Sequence, residues 1–457
     1  MRPGSRPNHE QGIVIMLVAV VMLFVVGAMA ALSIDVVTIY TARSEAQLAA
    51  DSAALAAARV LANSGATSDT TGGSMANAWI LAQAVALQVA EQNQVGGVNL
   101  TASQVTIPAA PGGSNTNPTI TISVQVTTLP TFFARIWGSK FITVGASATA
   151  EAYNPSHATG TSVSSAPPVA PICVKPWLLP NMDPSAGGAP IFDPTSGAIT
   201  TTSLLGWSPS SATAVPLSLS PACSVNTYSG TCTQASITST TNVPPTTPAA
   251  WQYYPGDDAT TFPHPTNSLP SCTTALTTNY QESIAGCVQT PISCNSSANI
   301  DLATYPNPGP SSPNRDSDTT DAVTCLTHTS NNNGDKVSSA TTSPPFQFVA
   351  GDDNPIAALA DKDVMVSDSL VTVPVTNVLA AGPPGGWTKC TGSPCTVQII
   401  GFVQLFLNPN GDATATSGSV NTTVINLAGC GANVVGTPIL GNGASPVAVR
   451  LISPPLP

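Results

Sequence analysis

The chain has 457 residues, room for two to three domains, and 42% of them are apolar, enough to build a core. Only 8% are charged, against roughly 25% in ordinary globular proteins; a surface wetted by Ser, Thr, Asn and backbone suits an exported, β-rich, loop-rich protein better than a cytosolic enzyme. The net charge is −11 and the 12 basic residues are dispersed, with Lys175, Lys336, Lys362, Lys389, Arg315 and Arg450 each standing alone, so the clustered cations that neutralise phosphates are missing and nucleic acid is excluded as a partner.

Ile13 to Ile34 carries no charged residue. At about 1.5 Å per residue, a helix of that length crosses a hydrocarbon core about 30 Å thick. Arg2, Arg6 and the terminal amine precede it. The positive-inside rule then puts residues 1–12 in the cytoplasm as a short tail, makes 13–34 a transmembrane helix and puts everything after Asp35 outside. Two rival readings stand beside this one. Ala28-Met29-Ala30 has the form of a signal-peptidase site after an apolar core at Ile13–Gly27, although the apolar run continues past that cut to Ile34. A type IV prepilin cut after Gly12 is the other; such substrates carry Glu five residues into the mature helix, and here that position is Leu17.

From Asp35 the sequence DVVTIYTARSEAQLAADSAALAAARVLA is built of strong helix formers on an alanine ground. The membrane helix is therefore expected to continue outward as one rod ending near Asn63-Ser64-Gly65. After a Gly/Ser/Thr loop, Met75–Gln94 reads as a second helix, with Trp79, Ile80, Ala84, Leu87 and Val95 on a rough 3.6 period and Gly96-Gly97 as its stop. Val105–Ile107, Ile120–Val126 and Ile142–Ala148 alternate as half-buried strands do. Residues 35–152 thus predict a small α+β domain, an antiparallel sheet with helices on one face.

Residues 153–172 are rich in Pro, Ser, Thr and Ala and read as a linker. Beyond them lie all ten cysteines: Cys173, Cys223, Cys232, Cys272, Cys287, Cys294, Cys325, Cys390, Cys395 and Cys430. An even count confined to one region predicts disulfides and an oxidising compartment. Local turn sequences suggest Cys223 with Cys232 and Cys390 with Cys395, and the group Cys272, Cys287, Cys294 and Cys325 is expected to pair within itself. Residues 178–350 show turns and little periodicity, which predicts short strands and long loops. Val397–Leu407, Val420–Leu427, Val434–Leu440 and Val447–Ile452 read as strands that close a sandwich or sheet against the Cys173 region. Residues 173–457 are thus expected to form a β-rich, disulfide-tied extracytoplasmic domain.

Catalytic patterns are sparse. The four histidines, His9, His157, His264 and His328, form no H-E-x-x-H, and no G-x-S-x-G elbow is present. Cys390-x4-Cys395 has no second close pair to complete a zinc site. Asp316, Asp318 and Asp321 in RDSDTTD lack the Gly and distal Glu of an EF-hand and read as a solvated acidic loop. The expectation is no enzyme, no cofactor and no metal.

Gly12 through Ala58 resembles the amino-terminal segment of TadE/TadG-like proteins of Tad (Flp-type) pilus assembly. The resemblance is carried by Gly12 before the apolar run, Asp35 at its end, Tyr40, and the box Leu48-Ala49-Ala50-Asp51-Ser52-Ala53-Ala54-Leu55-Ala56. Residues 119–152 add a strand, a Pro130-Thr131-Phe132-Phe133 turn-helix ending at Gly138, and a strand from Gly145 to Ala152. The resemblance implies a structural or assembly component anchored in the bacterial inner membrane, its bulk periplasmic or at the cell surface. Other pilus or secretion-platform proteins would be its partners, with Asp35, Tyr40 and Asp51 as contact residues. The implied architecture is α+β: an amino-terminal transmembrane helix extended into a pilin-like α+β domain, then a disulfide-tied, loop-rich, mainly-β domain. A surface adhesin exported by the same anchor is the alternative, and a secreted enzyme with a cleaved signal a third. The metal-binding D-x-S-x-S of larger TadG proteins has its nearest string at Asp412–Thr416, behind a turn rather than a buried strand, which gives a metal-dependent adhesion site no support.

Overall fold

The computed structural model describes residues 9–111, 117–157, 167–186, 189–201, 203–206, 218–219, 252–257, 260–263, 265, 269–300, 315–329, 333–338, 343–377, 395–412, 420–431, 437–440 and 445–452. Helix α1 runs without a break from His9 to Asn63. Its two halves meet different surroundings. Ile13–Ile34 is exposed on nearly every side, and among the described residues α1 is the one helix long and apolar enough to cross a membrane. The second half buries Ala42, Ala46, Ala49, Ala50, Ala53, Ala54, Ala57 and Ala58. Steps of three and four put these alanines on one face. Methyl side chains let that face lie close against α2 (Met75–Glu91) and the sheet beside it.

The expected face of α2 needs correction. Met75, Ala78, Trp79, Ala82, Ala86 and Ala90 are buried, whereas Ile80 points outward. The narrow space beside α1 admits alanines, so the buried stripe follows the small residues rather than the large ones. Trp79 fits because its indole nitrogen donates to the Pro108 carbonyl at 3.0 Å.

Strands β1 (Val105–Thr106), β2 (Thr119–Pro130) and β3 (Phe141–Tyr153) form an antiparallel sheet under the helices. Ile120, Ile122, Val124 and Val126 alternate into the core, as their sequence period requires. A register shift between Val126 and Leu129 marks an irregularity near the tip of the β2–β3 hairpin.

The second region centres on a seven-stranded sheet. It uses β4 (Trp177–Pro180), β5 (Gln252–Pro255), β6 (Ser297–Ile300), β7 (Leu370–Thr376), β8 (Cys395–Leu407) and β9 (Thr422–Gly429), with Ser218–Leu219 at one edge. The 13-residue β8 is its spine: β7 pairs along one side, β6 and β9 along the other. Every residue of β7 and β9 is buried, because both faces of the sheet are covered. Val371, Val373 and Val375 meet Tyr280 and Ile284 of helix α3 (Asn279–Ala285) and Val323 of helix α4 (Arg315–Thr327). On the other face, Phe402 sits with Leu178 and Tyr254, and Phe406 stacks on Phe348 with ring centroids 5.0 Å apart.

Helix α4 corrects a second expectation. RDSDTTD lies in its first two turns rather than in a loop, and Asp318 is buried, accepting from the Thr278 hydroxyl at 3.3 Å. Its apolar residues Ala322, Val323 and Leu326 follow only at the end of the segment, and they hold the helix on the sheet.

Among the described residues, three disulfides tie this region: Cys173–Cys287, Cys272–Cys325 and Cys294–Cys430. Only Cys272–Cys325 joins two members of the group expected to pair within itself. Cys287 and Cys294 reach partners 114 and 136 residues away, because the strands and loops that carry them are brought together by the sheet and not by local turns. Cys223, Cys232 and Cys390 lie outside the described residues, and with them both of the expected local pairs.

The last strand differs from expectation. β10 (Ala448–Ile452) does not join the second sheet; it pairs antiparallel with Thr149–Tyr153 of β3, extending the amino-terminal sheet. The Arg450 guanidinium meets the Glu151 carboxylate at 2.8 Å and lies 5.5 Å from the centre of the Tyr153 ring. Within the segment expected as a linker, Tyr153 closes β3, Pro155–His157 form a 3₁₀ turn, and Val169–Ala170 are buried in a short parallel pairing with Ile439–Leu440.

A buried polar seam joins the end of α1 to β9. Ser68 donates to the Leu427 carbonyl at 3.0 Å and accepts from the Leu427 amide at 2.9 Å. The Asn426 amide donates to the carbonyl of Ala62 at 2.7 Å, and Asn154 donates to Leu427 at 2.9 Å. Gly65, at φ +80°, makes the turn that allows this approach; a Cβ there would stand 2.6 Å from the Ile425 carbonyl oxygen.

Candidate functional site

The three residues singled out by family resemblance lie along α1 and do not converge. Asp35 and Asp51 are separated by 16 residues, about 24 Å along the axis. Each does something different.

Asp35 is the first charged residue after the apolar run, and its side chain is buried against the β2–β3 hairpin. One carboxylate oxygen accepts from the Phe132 amide at 2.8 Å; the other accepts from Phe133 at 3.1 Å and Ala134 at 2.7 Å. These amides open the 3₁₀ turn Ala134–Trp137, where the first N–H groups have no partner within the turn. Asp35 supplies that cap from 97 residues away in the chain. Burial raises its pKa, but the three backbone donors outweigh burial and hold the carboxyl below its ordinary value. Thr131 closes the same loop, its hydroxyl donating to the Ser139 carbonyl at 2.5 Å. Thus the two stretches that carry the family resemblance, Gly12–Ala58 and 119–152, touch at this point.

Tyr40 stands 78% exposed on α1. Asp51 accepts from the Gln47 amide at 2.7 Å, and Gln47 also donates to the Ser147 carbonyl at 3.3 Å, so this end of the alanine box is fastened to β3. Asp35 is spent on its own chain, Asp51 is partly so, and Tyr40 is open.

A second feature is barely marked in the sequence. A cleft of about 510 Å³ lies beside β7, lined by Arg59, Lys175, His328, Asp368 and the Cys173–Cys287 disulfide. Lys175 is buried, and its ammonium donates to the carbonyls of Ile284 at 2.6 Å and Gly286 at 2.7 Å, at the carboxy-terminal end of α3. A cation there satisfies helix carbonyls that have no amide partner. Burial pushes the Lys175 pKa down to about 7, with Asp368 pulling the other way. His328 meets Asp368 at 3.3 Å, which raises the imidazole pKa against the opposing pull of burial. The neighbouring Ser367 hydroxyl is committed to Asp335 at 2.6 Å. The ammonium is taken up by two carbonyls, so Lys175 ties the segment that leads into β4 to the end of α3. The only sequence hint was its setting, a lone Lys between Cys173-Val174 and Pro176-Trp177. Among the described residues, no three His, Cys, Asp or Glu side chains gather as a metal-binding group.

The fold and the Asp35 junction define a class: an α+β protein with one helix able to cross a membrane, whose continuation is the buried spine of a folded body. Within that class, residues 12–60 match the Tad family model of Flp pilus-assembly, TadE/G-like proteins. The match covers both halves of α1 and stops before α2. No curated protein and no solved structure matches the chain.

Proposed function

We propose that this chain is a membrane-anchored structural or assembly component of a Tad (Flp-type) pilus or a related envelope structure, and that it is not an enzyme. The observation that carries this reading is the family match itself, which falls on the one helix that is apolar and exposed in its first half and buried in its second. In this reading Ile13–Ile34 lies in the bacterial inner membrane, residues 1–12 face the cytoplasm, and the rest is periplasmic or at the cell surface. Three disulfides beyond the helix support an oxidising location. A long helix whose outer half rests on a four-stranded antiparallel sheet supports the likeness to a pilin. Tyr40, being open, is the contact residue we assign to other pilus or secretion-platform subunits. The test is pilus number and adherence in a strain lacking the gene, with plasmid restoration as control. Loss of pili, regained on restoration, is the expected result. Normal pili with weakened adherence would move the assignment to an adhesin delivered by the same anchor, and normal values of both would overturn it.

A further inference from the structure

Phe132 and Phe141 are 61% and 60% exposed at the tip of the β2–β3 hairpin, where neither helps the core. Their height relative to α1 is fixed twice. Gln47 is bonded to Ser147, and 12 residues earlier on α1 Asp35 holds the amides of Phe132, Phe133 and Ala134. The hairpin therefore runs back along α1 toward its apolar half, and its tip ends level with the last residue of the uncharged run. Around that level α1 exposes Val36, Val37 and Tyr40, and the loop exposes Arg135 and Lys140. The carboxylate at this height, Asp35, is turned inward and satisfied by amides. The next acid on α1 is Glu45, ten residues or about 15 Å further out.

We propose that the loop from Thr131 to Phe141 is a membrane-surface seat: Phe132 and Phe141 enter the headgroup layer of the same bilayer that α1 crosses, and Arg135 and Lys140 meet its phosphates. Amphipathic and aromatic side chains collect at that depth, and cations there are drawn to anionic lipid. Asp35 and Thr131 give the seat its shape, so the folded body stands on the bilayer at a fixed angle instead of swinging on α1. The inference rests on the membrane-anchored reading of α1 and adds a second, independent contact with lipid.

The experiment uses the full chain in nanodiscs of phosphatidylcholine and phosphatidylglycerol. p-Benzoylphenylalanine is placed singly at Phe132, Phe141, Phe24 and Val98, and lipid adducts are read by mass spectrometry after irradiation. Val98 is an exposed control further out along α1, on the turn whose Gly96 amide donates to Glu45, and Phe24 reports the span. Lipid adducts at 132, 141 and 24, and their loss at 98, are expected. Adducts at 24 with none at 132 and 141, or adducts there to a second copy of the chain, would overturn the seat while leaving the anchor intact. No adduct even at 24 would overturn the anchored reading, and the seat with it. All four replaced side chains are exposed, so none of the variants disturbs the core.

Discussion

At the scale of single residues, Asp35 and Lys175 show two uses of a buried charge. Asp35 is compensated by donors: three amides converge on one carboxylate, and the loop they belong to has no other local cap. Asp35→Ala is expected to leave α1 helical but release Phe132–Ala134, read as lost amide protection in hydrogen exchange over residues 131–138 with little change elsewhere. Lys175 is compensated by two carbonyls but still lies far below its ordinary pKa of 10.5, at about 7. Between those values the unfolded chain binds a proton that the folded chain lacks, so stability should rise with pH across that window and be lowest beneath it. His328, whose raised pKa gives stability that is lost as pH rises through it, works in the opposite sense. Denaturant unfolding between about pH 8 and 10 should show the rise in the parent protein and a flatter profile in Lys175→Met, itself less stable by about 1–3 kcal/mol through two unpaired carbonyls. A midpoint that falls with pH over that range would contradict the assignment. Asp35 was legible in the sequence because a lone carboxylate after a long apolar run is conspicuous. Lys175 was not, because what makes it special is its distance from water.

At the scale of elements, periodicity was a good guide wherever one face meets a core of large side chains. β2 alternates and is half-buried; α1 was expected to end near Asn63-Ser64-Gly65 and ends at Asn63. The reading failed where packing is set by small residues or by contacts from afar. The buried face of α2 is drawn by alanines, which carry little weight in a search for apolar stripes. α4 begins with seven polar or charged residues, RDSDTTD, and is held by Val323, Leu326 and the Cys272–Cys325 bond, so its helicity follows from its dock. The turn after α1 is the element on which the two regions depend. Gly65→Ala is expected to cost about 1–3 kcal/mol, since it strains a left-handed backbone and drives a Cβ toward the Ile425 carbonyl. A lowered melting temperature with an unchanged helix content would agree; an unchanged melting temperature would show that the seam is not tight.

At the scale of the whole molecule, the disulfides act at long range. The Cys294–Cys430 bond closes 136 residues of chain, and loops of that size gain most from a crosslink. Replacing both cysteines by serine is expected to cost about 2–5 kcal/mol, read as a lower denaturation midpoint in oxidising buffer; equal midpoints would mean that the sheet alone holds β6 and β9 together. This connectivity lay beyond the sequence, since spacing favours near partners and the strands choose distant ones. The pairing of β10 with β3 bears on time rather than strength. Arg450 is made 299 residues after its partner Glu151, yet its strand completes the sheet on which the first helix rests. Until that strand arrives, Thr149–Tyr153 remains an open strand edge, ready to pair with whatever strand is nearby. The sheet beneath α1 is thus closed only after the second region has been made, and a molecule interrupted before residue 448 carries its own mark of incompleteness beside the end of that helix.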